Sequence, residues 1–248
     1  MSGFFDHPRK FDLDWLAGVL GQPAGALRAM DFAPVGTGQV GDSFRLSLDW
    51  SDAGASAPAT IIAKCPAQDP VSRETGRNMR LYEVETSWYR ELATSCAVRC
   101  PEHFHAEMGP TAQEFILFLE DMAPAVQPDQ MTGTSPDIVA NILREAAHLH
   151  KFRWQDPGLA DITWLNYGAG NQAFVKEFLP AIYPEWRARY SGRIDCEILD
   201  MGAELVARFD KYAAPDTTHG PTPVTITHGD MRLDNMLFFD SAGRVCLV

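Results

Sequence analysis

The chain has 248 residues, enough for one large domain or two lobes around a buried core. Its 46% hydrophobic and 22% charged residues are ordinary for a soluble globular enzyme. A formal net charge of −12 argues against a nucleic-acid partner, because phosphate binding needs a basic face.

No apolar run approaches the ~20 residues of a membrane span. The start, Met1-Ser2-Gly3-Phe4-Phe5-Asp6-His7, lacks the basic opening and long apolar stretch of a signal peptide. Five cysteines without a Cys-x-x-Cys pair fit a reducing cytoplasm. Cys96, Cys100, His103 and His105 lie close together, but their spacing matches no common zinc finger or ribbon. They read as buried thiols and surface histidines around Pro101.

Taken in order, residues 11–30 open with helical spacing of Phe11, Trp15, Leu16, Val19 and Leu20, ended by Gly21 and Pro23. Residues 44–50 alternate, with Phe44, Leu46, Leu48 and Trp50 on one face of a half-buried strand. A turn rich in small residues leads to a second strand, Thr60-Ile61-Ile62-Ala63-Lys64. Leu81, Val84, Trp88 and Leu92 mark a helix from about Asn78 to Leu92, and Ala112 to Leu119 reads as another strand. The first half is therefore mostly antiparallel strands with one long helix.

After Pro124 to Pro136 the pattern turns helical. Ile138 to Phe152 follows Ser135 and Pro136, which are cap and first-turn signals. Phe174 to Tyr190 and Asp195 to Tyr212 read as two more helices. The aromatic stripe Phe174, Phe178, Tyr183, Trp186 and Tyr190 is expected to be core rather than pocket. Val224 to Thr227 is expected as a short strand, and Met236 to Phe239 with Val245 to Val248 as a hairpin.

Gly36-Thr37-Gly38-Gln39-Val40-Gly41 has the G-x-G-x-x-G spacing. A dinucleotide site needs a helix to begin at the third glycine. Here Phe44, Leu46 and Leu48 set a strand instead, the arrangement that folds over ATP phosphates in kinases. Lys64 then ends an apolar strand, placed to reach the α- and β-phosphates. Glu85 on the next helix can pair with it; Glu83 and Glu91 share that helix and leave the choice open. Finally Asp230 precedes Asn235 by five residues in Thr227-His228-Gly229-Asp230-Met231-Arg232-Leu233-Asp234-Asn235. The carboxylate suits a base for an attacking hydroxyl, and the amide suits a Mg²⁺ ligand. His228 is expected to support the loop backbone.

These parts resemble the aminoglycoside phosphotransferase and choline kinase-like superfamily, within it the ecdysteroid-kinase-like bacterial phosphotransferases. The residues that carry the resemblance are Gly36 to Ser43, Ile61 to Lys64, Glu85 with Trp88 to Leu92, Leu119 to Met122, Leu149 to Trp154 and Thr227 to Phe239. It implies an α+β, two-lobed protein-kinase-like fold, with an N-lobe over residues 1–121 and a mainly helical C-lobe over 122–248.

It further implies ATP and Mg²⁺, with Gly36, Thr37, Gly38, Gln39, Ser43, Lys64 and Glu85 around the phosphates. Leu117 to Asp121 would form the hinge that receives adenine, including Glu120 and Asp121. Asp230 would be the base and Asn235 the metal ligand. Gly229 stands where protein kinases place an Arg, so a small-molecule alcohol is the implied acceptor. The family continues past its last strand with a metal-binding Asp, and the chain is expected to lack that part. The alternative is a nucleotide-binding remnant with impaired turnover.

Overall fold

The computed structural model describes residues 4–36, 38–54, 56–165, 168–213, 223–239 and 244–247. The expected α+β architecture is what the chain adopts: a five-stranded antiparallel sheet with a long helix on one face, then mainly helices.

Helix α1 (Leu13–Val19) starts where the Asp12 carboxylate accepts the Trp15 amide at 2.9 Å, satisfying one of the unpaired first-turn donors. Strands β1 (Leu27–Val35), β2 (Gly41–Trp50) and β3 (Thr60–Pro66) follow as an antiparallel meander. Next come α2 (Pro70–Asn78), capped by Asp69, and α3 (Leu81–Glu91). Strands β4 (His103–Met108) and β5 (Phe115–Glu120) complete the sheet in the order β1-β2-β3-β5-β4.

Alternation along the strands builds two cores. Phe44, Leu46, Leu48, Ile61, Ala63, Ile116 and Phe118 bury against Leu16 and Ala17 of α1 on one face. Phe115, Leu117 and Leu119 bury against Tyr82 and Tyr89 of α3 on the other. Leu46, Ile61 and Phe118 are fully buried, and each such side chain stabilises the fold by about 1.5–3 kcal/mol.

Helix α4 (Pro136–Phe152) carries the expected Ser135 cap and Pro at its first turn. Strands β6 (Met236–Phe238) and β7 (Val245–Leu247) pair antiparallel, as expected, with residues 240–243 outside the described set. Val224 to Thr227 joins no strand among the described residues; the Thr225 hydroxyl instead donates to the His150 carbonyl. Two elements appear where no strand was expected. β1 follows the first helix, beyond the Gly21 and Pro23 that end its pattern, and β4 carries His103 and His105.

The chain forms two compact units, Met1–Trp154 with Thr225–Val248, and Gln155–Val224. The second unit contains α5 (Gly168–Tyr190), α6 (Cys196–Ala207) and α7 (Phe209–Ala213). Here the expectation of a core stripe is corrected. The Tyr183 hydroxyl and the Arg187 guanidinium both bond the Leu199 carbonyl, so that side of α5 meets α6. Phe174, Phe178 and Trp186 remain 51%, 45% and 40% exposed, which rules out a buried stripe.

The cysteine and histidine cluster is also dispersed by the fold. His105 packs on Trp15 and Phe118 on the α1 face, whereas His103 lies by Tyr89 on the α3 face. A bulge between His103 and His105 separates them onto the two faces. Neither is a plain surface histidine, since both are half-buried.

Candidate active site

The glycine loop joins β1 to β2, and β2 begins at Gly41. No helix starts there, so the amides a dinucleotide would need are not offered in helical form. Gly36 sits at φ +73°, the left-handed region that favours glycine. A Cβ on Gly38 would lie 2.3 Å from the Gly41 carbonyl oxygen, so the loop closes on itself only without a side chain there. Gln39 is exposed beside it, and Thr37 lies outside the described residues.

Lys64 sits in β3 between Ala63 and Cys65, which point into the α1-side core, so its side chain projects to the α3 face. There Lys64 Nζ donates to Glu85 of α3. The other two glutamates of the helix are engaged elsewhere: Glu83 forms a two-pronged pair with Arg80 at 2.8 and 2.9 Å, and Glu91 pairs with Arg90 at 2.8 Å. Ser43 lies opposite Lys64 in the β2–β3 register and shares its face.

Asp230 and Asn235 meet directly. Asn235 Nδ2 donates to the Asp230 carbonyl and to Asp230 Oδ2, each at 2.9 Å. Gly229 allows the approach with φ +82°. The Asp230 amide donates to His228 Nδ1 at 3.4 Å, so His228 does support the loop backbone. Arg232 Nε lies 3.3 Å from Asp230 Oδ2 and its Nη1 3.5 Å from Asp234, drawing the loop carboxylates around one guanidinium.

Two supports were not found in the sequence. Gln130 Oε1 accepts the Leu233 amide at 2.9 Å, and Gln127 Nε2 donates to the Asp234 carbonyl. Val126 and Phe238 exchange two backbone bonds of 2.9 Å each. Together they fasten the Asp230–Asn235 loop to the segment that follows β5. The Leu247 amide donates to the Arg99 carbonyl at 3.0 Å, tying β7 to the chain before β4. Burial pushes the Cys246 thiol up to about 12, and Cys100 adds to the shift.

Glu120 and Asp121 spend their side chains on the fold. Glu120 pairs with Arg99 at 3.1 and 3.3 Å, and its amide donates to the Glu102 carbonyl at 2.7 Å. Asp121 forms a two-pronged pair with Arg45 at 2.7 and 3.0 Å and accepts the Ala123 amide. Burial opposes ionisation of Asp121, yet the bonds from Arg45, Ala123 and Thr60 outweigh it and hold the carboxyl below its usual range.

The donors at Asn235 fit a hard cation in part. Nδ2 is used on Asp230, which leaves Oδ1 outside those two bonds, and Asp230 supplies a neighbouring carboxylate. Among the described residues no group of three His, Cys, Asp or Glu side chains could enclose a metal by itself. Mg²⁺ is ordinarily held by one or two carboxylates together with phosphate and water oxygens, so the Asn235 amide oxygen is a weak anchor by itself.

No helix among the described residues is long and apolar enough to cross a membrane. No curated protein matches the chain. Among solved structures, the GDP complex of a point mutant of aminoglycoside 2′-phosphotransferase-IIIa is similar, with 15% identity over 90% of this chain and 68% of that one, at a TM-score of 0.46. The family described as phosphotransferase enzyme family matches residues 71–248, which takes in Glu85, Asp230 and Asn235. The chain belongs to that phosphotransferase family.

Proposed function

We propose that the protein transfers the terminal phosphate of ATP to the hydroxyl of a small organic molecule, with Mg²⁺. The observation that carries this reading is the pairing of Lys64 with Glu85 in the same compact unit as the Asn235–Asp230 pair. One pair presents a fixed ammonium for phosphates, and the other presents a fixed carboxylate for a hydroxyl.

In this reading residues 1–121 hold the nucleotide. The amides of the Gly36–Gly41 loop and Ser43 receive phosphate oxygens, which developing negative charge strengthens. Lys64 neutralises the α- and β-phosphates, and Glu85 keeps its ammonium in place. The backbone of Leu117 to Asp121 and the residues just after it receive the base, since the Glu120 and Asp121 side chains are committed to arginines. Asp230 takes the proton from the acceptor hydroxyl, and Asn235 holds that carboxylate. Mg²⁺, held by Asn235 and the phosphate oxygens, would shield the charge of the transferring phosphate.

The net charge of −12 and the family assignment support a small acceptor rather than a nucleic acid. The ecdysteroid-kinase-like branch is the proposed one, on the residues quoted for it above. The five cysteines are free thiols, which supports a reducing compartment such as the cytoplasm.

The test is transfer of label from [γ-³²P]ATP to a panel of primary and secondary alcohols, with Asp230→Asn as control. Transfer by the wild type and a loss of about 10²–10⁴-fold in the variant support the reading. Tight Mg·ATP binding with no transfer to any alcohol would favour a nucleotide-binding protein without turnover.

A further inference from the structure

Helix α3 does more than carry Glu85. One turn earlier it presents Tyr82, whose hydroxyl donates to the carbonyl of Val40 inside the glycine loop. The same oxygen meets the backbone amide of Ala67, just past the end of β3. Tyr82 is 2% exposed, and burial raises its hydroxyl above the usual range, so it stays a neutral donor.

The ring is held as firmly as the hydroxyl. It stacks on Phe115 of β5 with centroids 4.6 Å apart and planes at 24°. On its other flank is Gly76 of α2, where a Cβ would come within 2.4 Å of the Tyr82 ring carbon Cζ. Phe115 in turn reaches beneath the loop, 3.9 Å from where a Cβ of Gly41 would stand. Residues three apart share a helix face, so Tyr82 and Glu85 move as one body.

We infer that Tyr82 is a positioning residue, through which α3 sets the glycine loop over the nucleotide phosphates while Glu85 sets Lys64. The inference rests on the nucleotide reading above and extends it. Shifting α3 would then move both phosphate-binding elements together, which makes loop closure and lysine placement a single event. A loop anchored only by its own two strands would lack that linkage.

The experiment compares Mg·ATP and adenosine binding by calorimetry in the wild type, Tyr82→Phe and Glu85→Gln. Tyr82→Phe keeps the stacked ring and removes only the hydroxyl. Expected is a Mg·ATP affinity about three- to tenfold weaker in Tyr82→Phe, the size of the loop's lost hydrogen bond at Val40, with adenosine affinity unchanged. Glu85→Gln should show the same selective loss.

If Glu85→Gln weakens Mg·ATP but Tyr82→Phe binds both ligands like the wild type, the tyrosine has no positioning role and the site reading survives. Equal loss of ATP and adenosine in Tyr82→Phe would mark a merely structural residue and overturn the inference. A wild type that binds neither ligand overturns the nucleotide reading, and the inference with it.

Discussion

Asn235 Nδ2 bonds both the carbonyl and the Oδ2 atom of Asp230, each at 2.9 Å, so one amide fixes the backbone and the carboxylate of the same residue. Replacing that amide with a carboxylate tests the arrangement. Asn235→Asp would set two carboxylates against each other and make one of them harder to ionise. The acid limb of the kcat/KM–pH profile should move to higher pH, because the base is protonated over a wider range. Asn235→Ala removes the bond that favours the ionised carboxylate and should lower kcat, with a smaller displacement in the same direction. An unshifted acid limb in Asn235→Asp would mean Asp230 is not the base.

Lys64 and Glu85 are 26% and 28% exposed at their side chains, so solvent screens the pair and its own contribution to stability is small, about 1 kcal/mol or less. Catalysis should suffer far more than folding. Lys64→Met is expected to cut kcat/KM by about 10²-fold, near the effect of removing one preorganised charge contact. Glu85→Gln should raise KM for Mg·ATP more modestly. Steady-state kinetics beside thermal melts check this; a large loss of Tm with normal kinetics would reverse the interpretation.

Much of this site is legible in the chain, and the reasons are local. Strand alternation around Lys64 and helical spacing around Glu85 put both on the side facing each other, and the fold resolves the choice among three glutamates because Arg80 and Arg90 occupy the other two. Gln127 and Gln130 could not be found that way, because they act on residues more than a hundred positions later. β1 was hidden by its exposed edge position, where Arg28, Asp31 and Pro34 interrupt any clean apolar face. α2 is mostly polar, with Val71 74% exposed, so it shows no buried stripe. Periodicity in α5 marked out an aromatic face but could not say what covers it, and Phe174 and Phe178 are left exposed.

Gly38 is a steric requirement of the loop. Its added Cβ would strike the Gly41 carbonyl, a backbone atom that cannot swing aside as a side chain would. Gly38→Ala should therefore weaken Mg·ATP binding by roughly tenfold, about 1.4 kcal/mol, while adenosine binding and Tm stay close to wild type. Calorimetry with both ligands reads the difference.

Asp121 gives a prediction about pH. Its carboxyl titrates lower in the folded chain than in the unfolded one, so the stability it contributes is present above the unfolded value of about 3.9 and is lost as pH falls through the folded value. Asp121→Asn should cost about 1.5–3 kcal/mol near neutral pH, the scale of hydrogen bonds to a charged group. The gap between variant and wild type should close on acidification below pH ~4. Urea unfolding across that range measures it, and a pH-independent gap would assign the loss to packing instead.

The most direct test of the central claim is covalent labelling of Lys64. An adenosine bearing an electrophile at its 5′ position would deliver the reactive group where the phosphates of ATP sit. Peptide mass mapping should find the label on Lys64, with Mg·ATP blocking it and Asp230→Asn leaving it intact. Label spread over surface lysines, or on Lys64 but untouched by Mg·ATP, would contradict the account.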